Sequence, residues 1–158
     1  MRRYRRSPPI PTLFDAQSYH DIVQRVNTLR VDSVRAWGSM SSAQMLEHVS
    51  RALEMALGRP PMSQALLGKL LSWMVRKDFV GDKLFGKNGP TAPAFKVTGE
   101  PDFAAVHMKA TALLREFHEL GERGCDGHVH VFFGKMTGSE WGVTQHKHLD
   151  HHLPQFGA

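Results

Sequence analysis

Four stretches of this chain carry apolar residues at intervals of three and four; a turn from Asp32 to Met40 follows the first, and glycine or proline closes the other three. That period is the signature of an amphipathic helix with one face turned to a core. The first stretch runs from about Phe14 to Leu29, with Tyr19, Ile22, Val23, Val26 and Leu29 on its stripe. The second opens at Ser41, where Ser41-x-x-Gln44 reads as a capping box, and stops near Leu57 before Gly58 and Pro60-Pro61. The third begins at Pro101, a residue suited to a first helical turn, and its stripe of Phe103, Val106, Ala110, Leu113, Phe117 and Leu120 ends at Gly121. The fourth opens with a second capping box, Thr137-x-x-Glu140, and reaches about Leu153. A short, very apolar piece, Ala65 to Arg76, lies between the second and third. The pattern predicts an all-α fold, a four-helix bundle with an additional short helix between helices 2 and 3.

The connecting segments are Gly/Pro-rich from Gly81 to Gly99 and irregular from Gly121 to Met136. Within the latter, His128-Val129-His130-Val131-Phe132-Phe133 alternates like a strand but has no second strand in view to pair with. A length of 158 residues suits one domain, predicted over 13–158 behind a flexible basic tail, 1–12. The formal net charge of +5 is concentrated in that tail: without Arg2, Arg3, Arg5 and Arg6 it falls to +1. The body is therefore not a basic surface, and nucleic-acid binding is not expected. The tail is not followed by the apolar run of a signal peptide, and the Ala65–Val75 run is too short and too interrupted to span a bilayer. A soluble, cytoplasmic protein without membrane contact is expected. The single cysteine, Cys125, excludes an internal disulfide and zinc-finger spacings, and is read as an incidental loop thiol.

The ten histidines are the informative residues. At about 100° per residue, Met45, Leu46, Val49, Ala52, Leu53 and Ala56 share one face of the second helix, with His48 at its edge and Glu47 and Ser50 pointing away. On the last helix Trp141, Leu149, Leu153 and Phe156 define the apolar arc, and His148 and His152 fall inside it or on its border. Gln145 shares that face, where it can orient water or substrate or bond a histidine; Asp150 faces away, within reach of His146. Three imidazoles from two helices thus converge, and an i,i+4 pair plus a third ligand can hold one ion with positions left open. A hydrogen-bonded core histidine at position 48 and a solvated cluster over His146, His148, His151 and His152 remain the alternatives. His107 and His118 read as structural or exposed. A zincin is excluded: His118-Glu119 is followed by Leu120-Gly121-Glu122, and His148 by Leu149, so no H-E-x-x-H exists.

Two motifs carry a family resemblance. Trp37-Gly38-Ser39-Met40-Ser41-Ser42-Ala43-Gln44-Met45-Leu46-Glu47-His48 resembles the DinB-like (damage-inducible-type) superfamily of four-helix metalloproteins. The ending from Glu140-Trp141-Gly142 through Lys147-His148-Leu149-Asp150-His151-His152-Leu153-Pro154-Gln155-Phe156-Gly157 is similar to an uncharacterised bacterial branch of it, a domain of unknown function. Asn88-Gly89-Pro90-Thr91 and Phe133-Gly134-Lys135-Met136-Thr137 look like that branch too, so the likeness extends from about Leu13 onward. The resemblance implies metal ligands at His48, His148 and His152, the three that helical phase singles out. It also implies a divalent ion, zinc or nickel, that binds and activates a low-molecular-weight thiol. The superfamily includes thiol-dependent transferases and a maleylpyruvate isomerase that uses such a thiol. The resemblance therefore implies a metal-dependent thiol S-transferase acting on a small-molecule substrate; the alternative is a non-enzymatic metal or small-ligand binding protein in a stress response. Pro154 departs from the pattern and should end or kink the last helix beside His152. The Ala65–Val75 piece, with Trp73 and Met74, has two readings: a lid packed across the bundle, or an exposed face that makes a homodimer.

Overall fold

The computed structural model of the chain describes residues 10–87, 89 and 91–158. The arginines of the N-terminal tail, and Asn88 and Pro90 of the loop motif, lie outside the described residues. The order is α1 (Ala16–Thr28), α2 (Ser42–Ala56), α3 (Leu66–Val80), a 3-10 turn (Pro93–Phe95), α4 (Phe103–Cys125), β1 (Val129–His130), β2 (Gly134–Lys135), α5 (Gly138–His152) and a final 3-10 turn (Leu153–Phe156). The chain is mostly helical, as its periodicity requires.

Side-chain caps place the starts. Asp15 accepts the backbone N–H of Ser18 and opens α1. Both predicted capping boxes form: Ser41 with Gln44 opens α2, and Thr137 with Glu140 opens α5. Each satisfies two backbone donors that a helix start leaves orphaned.

α2 packs most extensively on α4, and both pack on α5, while α1 lies across α4 and α5. Leu46, Leu53, Phe117, Leu114, Trp141 and Leu149 are sealed at their common interior. α2 is covered on more than one side, because β1 and the Pro93–Phe95 turn also contact it. Ser50, expected to point away from the core, is accordingly buried, and its hydroxyl has no protein partner among the described residues.

Three expectations require correction. Gly121 does break α4, at φ +69°, but helical backbone resumes beyond it as far as Cys125. That residue is therefore not a loop thiol: it is buried at the helix end, and desolvation pushes its pKa up to about 11. The alternating segment does find a partner. Val129 and His130 pair antiparallel with Lys135 and Gly134, a two-residue ladder too short to announce itself by alternation. The third concerns the apolar piece. It is a full 15-residue helix, α3, and of its two readings the exposed face holds, not the apolar lid: Leu66, Leu70, Trp73 and Met74 are 62–75% exposed, while Phe79 and Val80 pack on the core.

Polar groups and close contacts dock α3. Ala65 donates its N–H to the Val131 carbonyl at 2.8 Å, and Gly68 lies so close to the Phe132 carbonyl that no side chain would fit between them. Arg76 donates to the carbonyls of Phe133 and Lys135 and to both oxygens of Glu140. Lys147, buried on α5, donates its ammonium to the carbonyls of Asp78, Phe79 and Gly81 at 2.7–3.1 Å and so caps the C-terminal end of α3. No helix among the described residues is long and apolar enough to cross a membrane.

Candidate metal centre

The second turn of α2 and the last two turns of α5 meet where Phe95 lies against them. His48 comes from α2; His148 and His152, one helical turn apart, come from α5. One ring nitrogen from each lies within 4.8 Å of the other two. His48 and His152 are buried and His148 is half-buried, so the cluster has a side open to solvent.

The hydrogen bonds determine which nitrogens face inward. His48 donates Nδ1–H to the Phe95 carbonyl at 2.9 Å, and a carbonyl can only accept. Its Nε2 is therefore the basic nitrogen, and it lies 2.9 Å from Nε2 of His148. His152 donates Nδ1–H to Oε1 of Gln155 at 2.7 Å, which again leaves Nε2 with the lone pair. Ligand imidazoles are oriented in this way in metal sites, with one nitrogen held by a backbone or amide oxygen. Nitrogens at about 2.0–2.1 Å from one tetrahedral ion stand roughly 3.3 Å apart, within the span that these three rings cover. The donor set fits a divalent ion of intermediate softness.

Burial keeps the three imidazoles neutral. Desolvation lowers the pKa of His48, lowers that of His152 to about 4, and takes His148 well below the ordinary histidine value, with the neighbouring rings reinforcing the effect. Neutral rings are the form in which histidine takes up a metal.

The surrounding loops complete the walls. Trp37 meets His151 edge-on at 5.0 Å, and Lys87 lies 5.3 Å over the Trp37 ring. Gly38 has φ +82°, and a Cβ there would fall 2.7 Å from Nε2 of Gln155. Ala36 donates its N–H to the Gln155 carbonyl. The Trp37-Gly38 motif is thus a turn closed against the residue that holds His152.

The chain is similar to a family described as "Protein of unknown function (DUF1569)", which matches residues 13–158. The chain belongs to this family. Comparison with curated proteins and with solved structures finds no match. The stretch shared with DUF1569 contains His48, His148, His152 and Gln155.

Two expected contacts do not form. Gln145 is buried, but its Oε1 has no protein partner among the described residues; Gln155, which the periodicity does not single out, holds the histidine instead. Asp150 accepts from Arg25 at 2.7 Å rather than from His146. His107, His118 and His128 are structural ties, bonded to the carbonyls of Val26, Leu13 and Ala56. Spacing gives His130 no role. Its Nδ1 accepts two backbone N–H groups, from Phe132 and Phe133, and its ring lies among Phe79, Phe133 and Trp141.

Proposed function

We propose that this chain is a DinB-like four-helix bundle built from α1, α2, α4 and α5, with α3 as the additional helix. In this reading His48, His148 and His152 hold one divalent ion, zinc or nickel, and the site serves a metal-dependent transferase that uses a low-molecular-weight thiol. The observation that carries the reading is the convergence of three imidazole nitrogens within 4.8 Å, with the Nδ1 protons of His48 and His152 committed to Phe95 and Gln155. A bound divalent ion supplies the positive charge that lets a thiol lose its proton near neutral pH. The chain's own residues orient the ligand rings, and the half-buried His148 marks the side from which a small molecule enters. Trp37 and Phe85 flank that region through His151.

A second reading, a non-enzymatic metal or small-ligand binding protein, is favoured by the carboxylates. Asp150 is paired with Arg25, Glu140 with Arg76, and Glu47 with Arg51 and Lys109, so each is engaged in an ion pair rather than held as a free base.

Metal content of tag-free protein tests the centre. Mass spectrometry should find near-stoichiometric zinc or nickel in the parent and loss of it in His48→Ala and His148→Ala. Absence of metal, with none taken up on titration, would remove the transferase and the metal-binding protein and leave only a small-ligand binder. Conjugation of an electrophile with several biological thiols then separates them: turnover that disappears in His48→Ala supports the transferase, and a loaded protein without turnover supports the binding protein.

A further inference from the structure

α3 carries its amphipathicity inside out. Successive helical residues rotate by about 100°. On that wheel Gly68, Ser72, Arg76 and Phe79 form the side that meets the body, while Leu66, Leu67, Leu70, Leu71, Trp73 and Met74 form the side turned to solvent. The helix cannot roll these residues inward. Arg76 is held by Glu140 and the carbonyls of Phe133 and Lys135, Lys147 holds the C-terminal carbonyls, and Gly68 is in contact with backbone. The outward apolar face is thus a fixed feature of the fold.

We infer that this face is a homodimer interface in which α3 packs antiparallel on α3 of a second copy, about a two-fold axis near Leu70. Area is the first argument. The outward side chains present on the order of 800 Å², about one partner's share of a standard interface and above the roughly 300–600 Å² of the largest patch on an ordinary monomer. Charge is the second. Both lysines are exposed, Lys69 at the margin of the face and Lys77 at its C-terminal end. In a parallel pairing each would meet its own copy. With the axis at Leu70, Leu66 faces Met74 of the second copy and Leu67 faces Trp73, while Lys69 lies beside Leu71 and Lys77 beyond the helix start. A two-fold contact of this kind is self-complementary and closed. The same charges disfavour an anionic lipid surface: Lys83 is bonded to Asp78 at 2.6 Å and Asp82 is exposed nearby, which among the described residues leaves fewer free cations beside this face than the roughly four to eight of a lipid-binding cluster.

Sedimentation equilibrium of the full-length, tag-free chain tests the inference. The parent should sediment as a dimer at about 10 μM. Leu70→Lys should weaken that dimer by at least roughly 30-fold, with unchanged helical circular dichroism and unchanged metal uptake. Leu70→Cys in a Cys125→Ser background should cross-link into a covalent dimer on mild oxidation, which keeps the question answerable if the lysine variant misfolds. A parent that remains monomeric overturns the inference, as does a folded Leu70→Lys protein that stays dimeric. Retention of a monomeric parent on phosphatidylserine vesicles, lost in Leu70→Lys, would overturn it in favour of lipid.

Discussion

Gln155 accepts the Nδ1 proton of His152 at 2.7 Å across the end of α5. The amide thereby selects the tautomer of His152 and turns its Nε2 toward His48 and His148. Outer-shell oxygens of this kind sustain metal affinity by about 10–100-fold. Gln155→Leu keeps much of the volume and removes the acceptor, so its metal affinity should fall by roughly that factor in competition against a chelator. Gln155→Glu, which retains an acceptor oxygen, should recover most of the loss. Equal affinities for Gln155→Leu and the parent would show that the bond does not orient the ring.

Pro154 makes that bond possible. It lacks the N–H that would bond Asp150, so α5 stops at His152 and the chain tightens into the 3-10 turn Leu153–Phe156. The turn returns Gln155 to the histidine three residues before it. Pro154→Ala should let α5 extend by about a turn, carry Gln155 away and weaken metal binding, even as helix content by circular dichroism rises. A variant that gains helix and keeps its affinity would separate the proline from the site.

Much of this arrangement was legible in the sequence, and the failures have physical causes. Ser41 and Thr137 mark their helix starts because capping is local chemistry, and helical phase puts His48, His148 and His152 on converging faces because the period is rigid. Gln155 does not stand out because a polar residue beyond Pro154, where the helix is expected to end or kink, carries no apolar signal. The same proline that ends the helix beside His152 brings that histidine its hydrogen-bond partner. Ser50 was misjudged because one hydrophobic stripe implies one covered face, whereas α2 is covered by α4, α5 and the loops as well. The orientation of α3 could not be read, because periodicity identifies an apolar face without saying what it meets. That direction depends on long-range bonds from Arg76 to Glu140 and from Lys147 to Asp78, Phe79 and Gly81.

His130 makes the metal-free protein acid-sensitive. Its Nδ1 already accepts from Phe132 and Phe133, so a proton there would place a donor against two donors, and burial pushes the pKa down to about 4. In the unfolded chain the group titrates near 6.5. The folded pKa is depressed, so the contribution to stability is complete above about 6.5 and is lost as pH falls toward 4. His152, also lowered to about 4, acts in the same direction. Thermal melts of chelator-treated protein should show Tm declining across that window. His130→Asn, which keeps an acceptor but cannot take up the proton, should decline less steeply; parallel curves would exclude His130 as a source.

Lys147 stands one residue before His148, yet its work is done on another helix. Its ammonium donates to the carbonyls of Asp78, Phe79 and Gly81 and lies 4.7 Å over the ring of Phe85. The first two of these carbonyls belong to the last turn of α3 and the third to its C-cap, Gly81, where no following turn satisfies them. Lys147→Met preserves the aliphatic stem and removes all three donors, which should cost about 1–3 kcal/mol. The loss should be local first: amide hydrogen exchange should quicken over residues 78–85 before the rest of the chain changes. Metal affinity should move by less than in Gln155→Leu, because none of the three histidines bonds to Lys147. If exchange instead quickened uniformly, Lys147 would be a general support of the core rather than the cap that holds α3 in place.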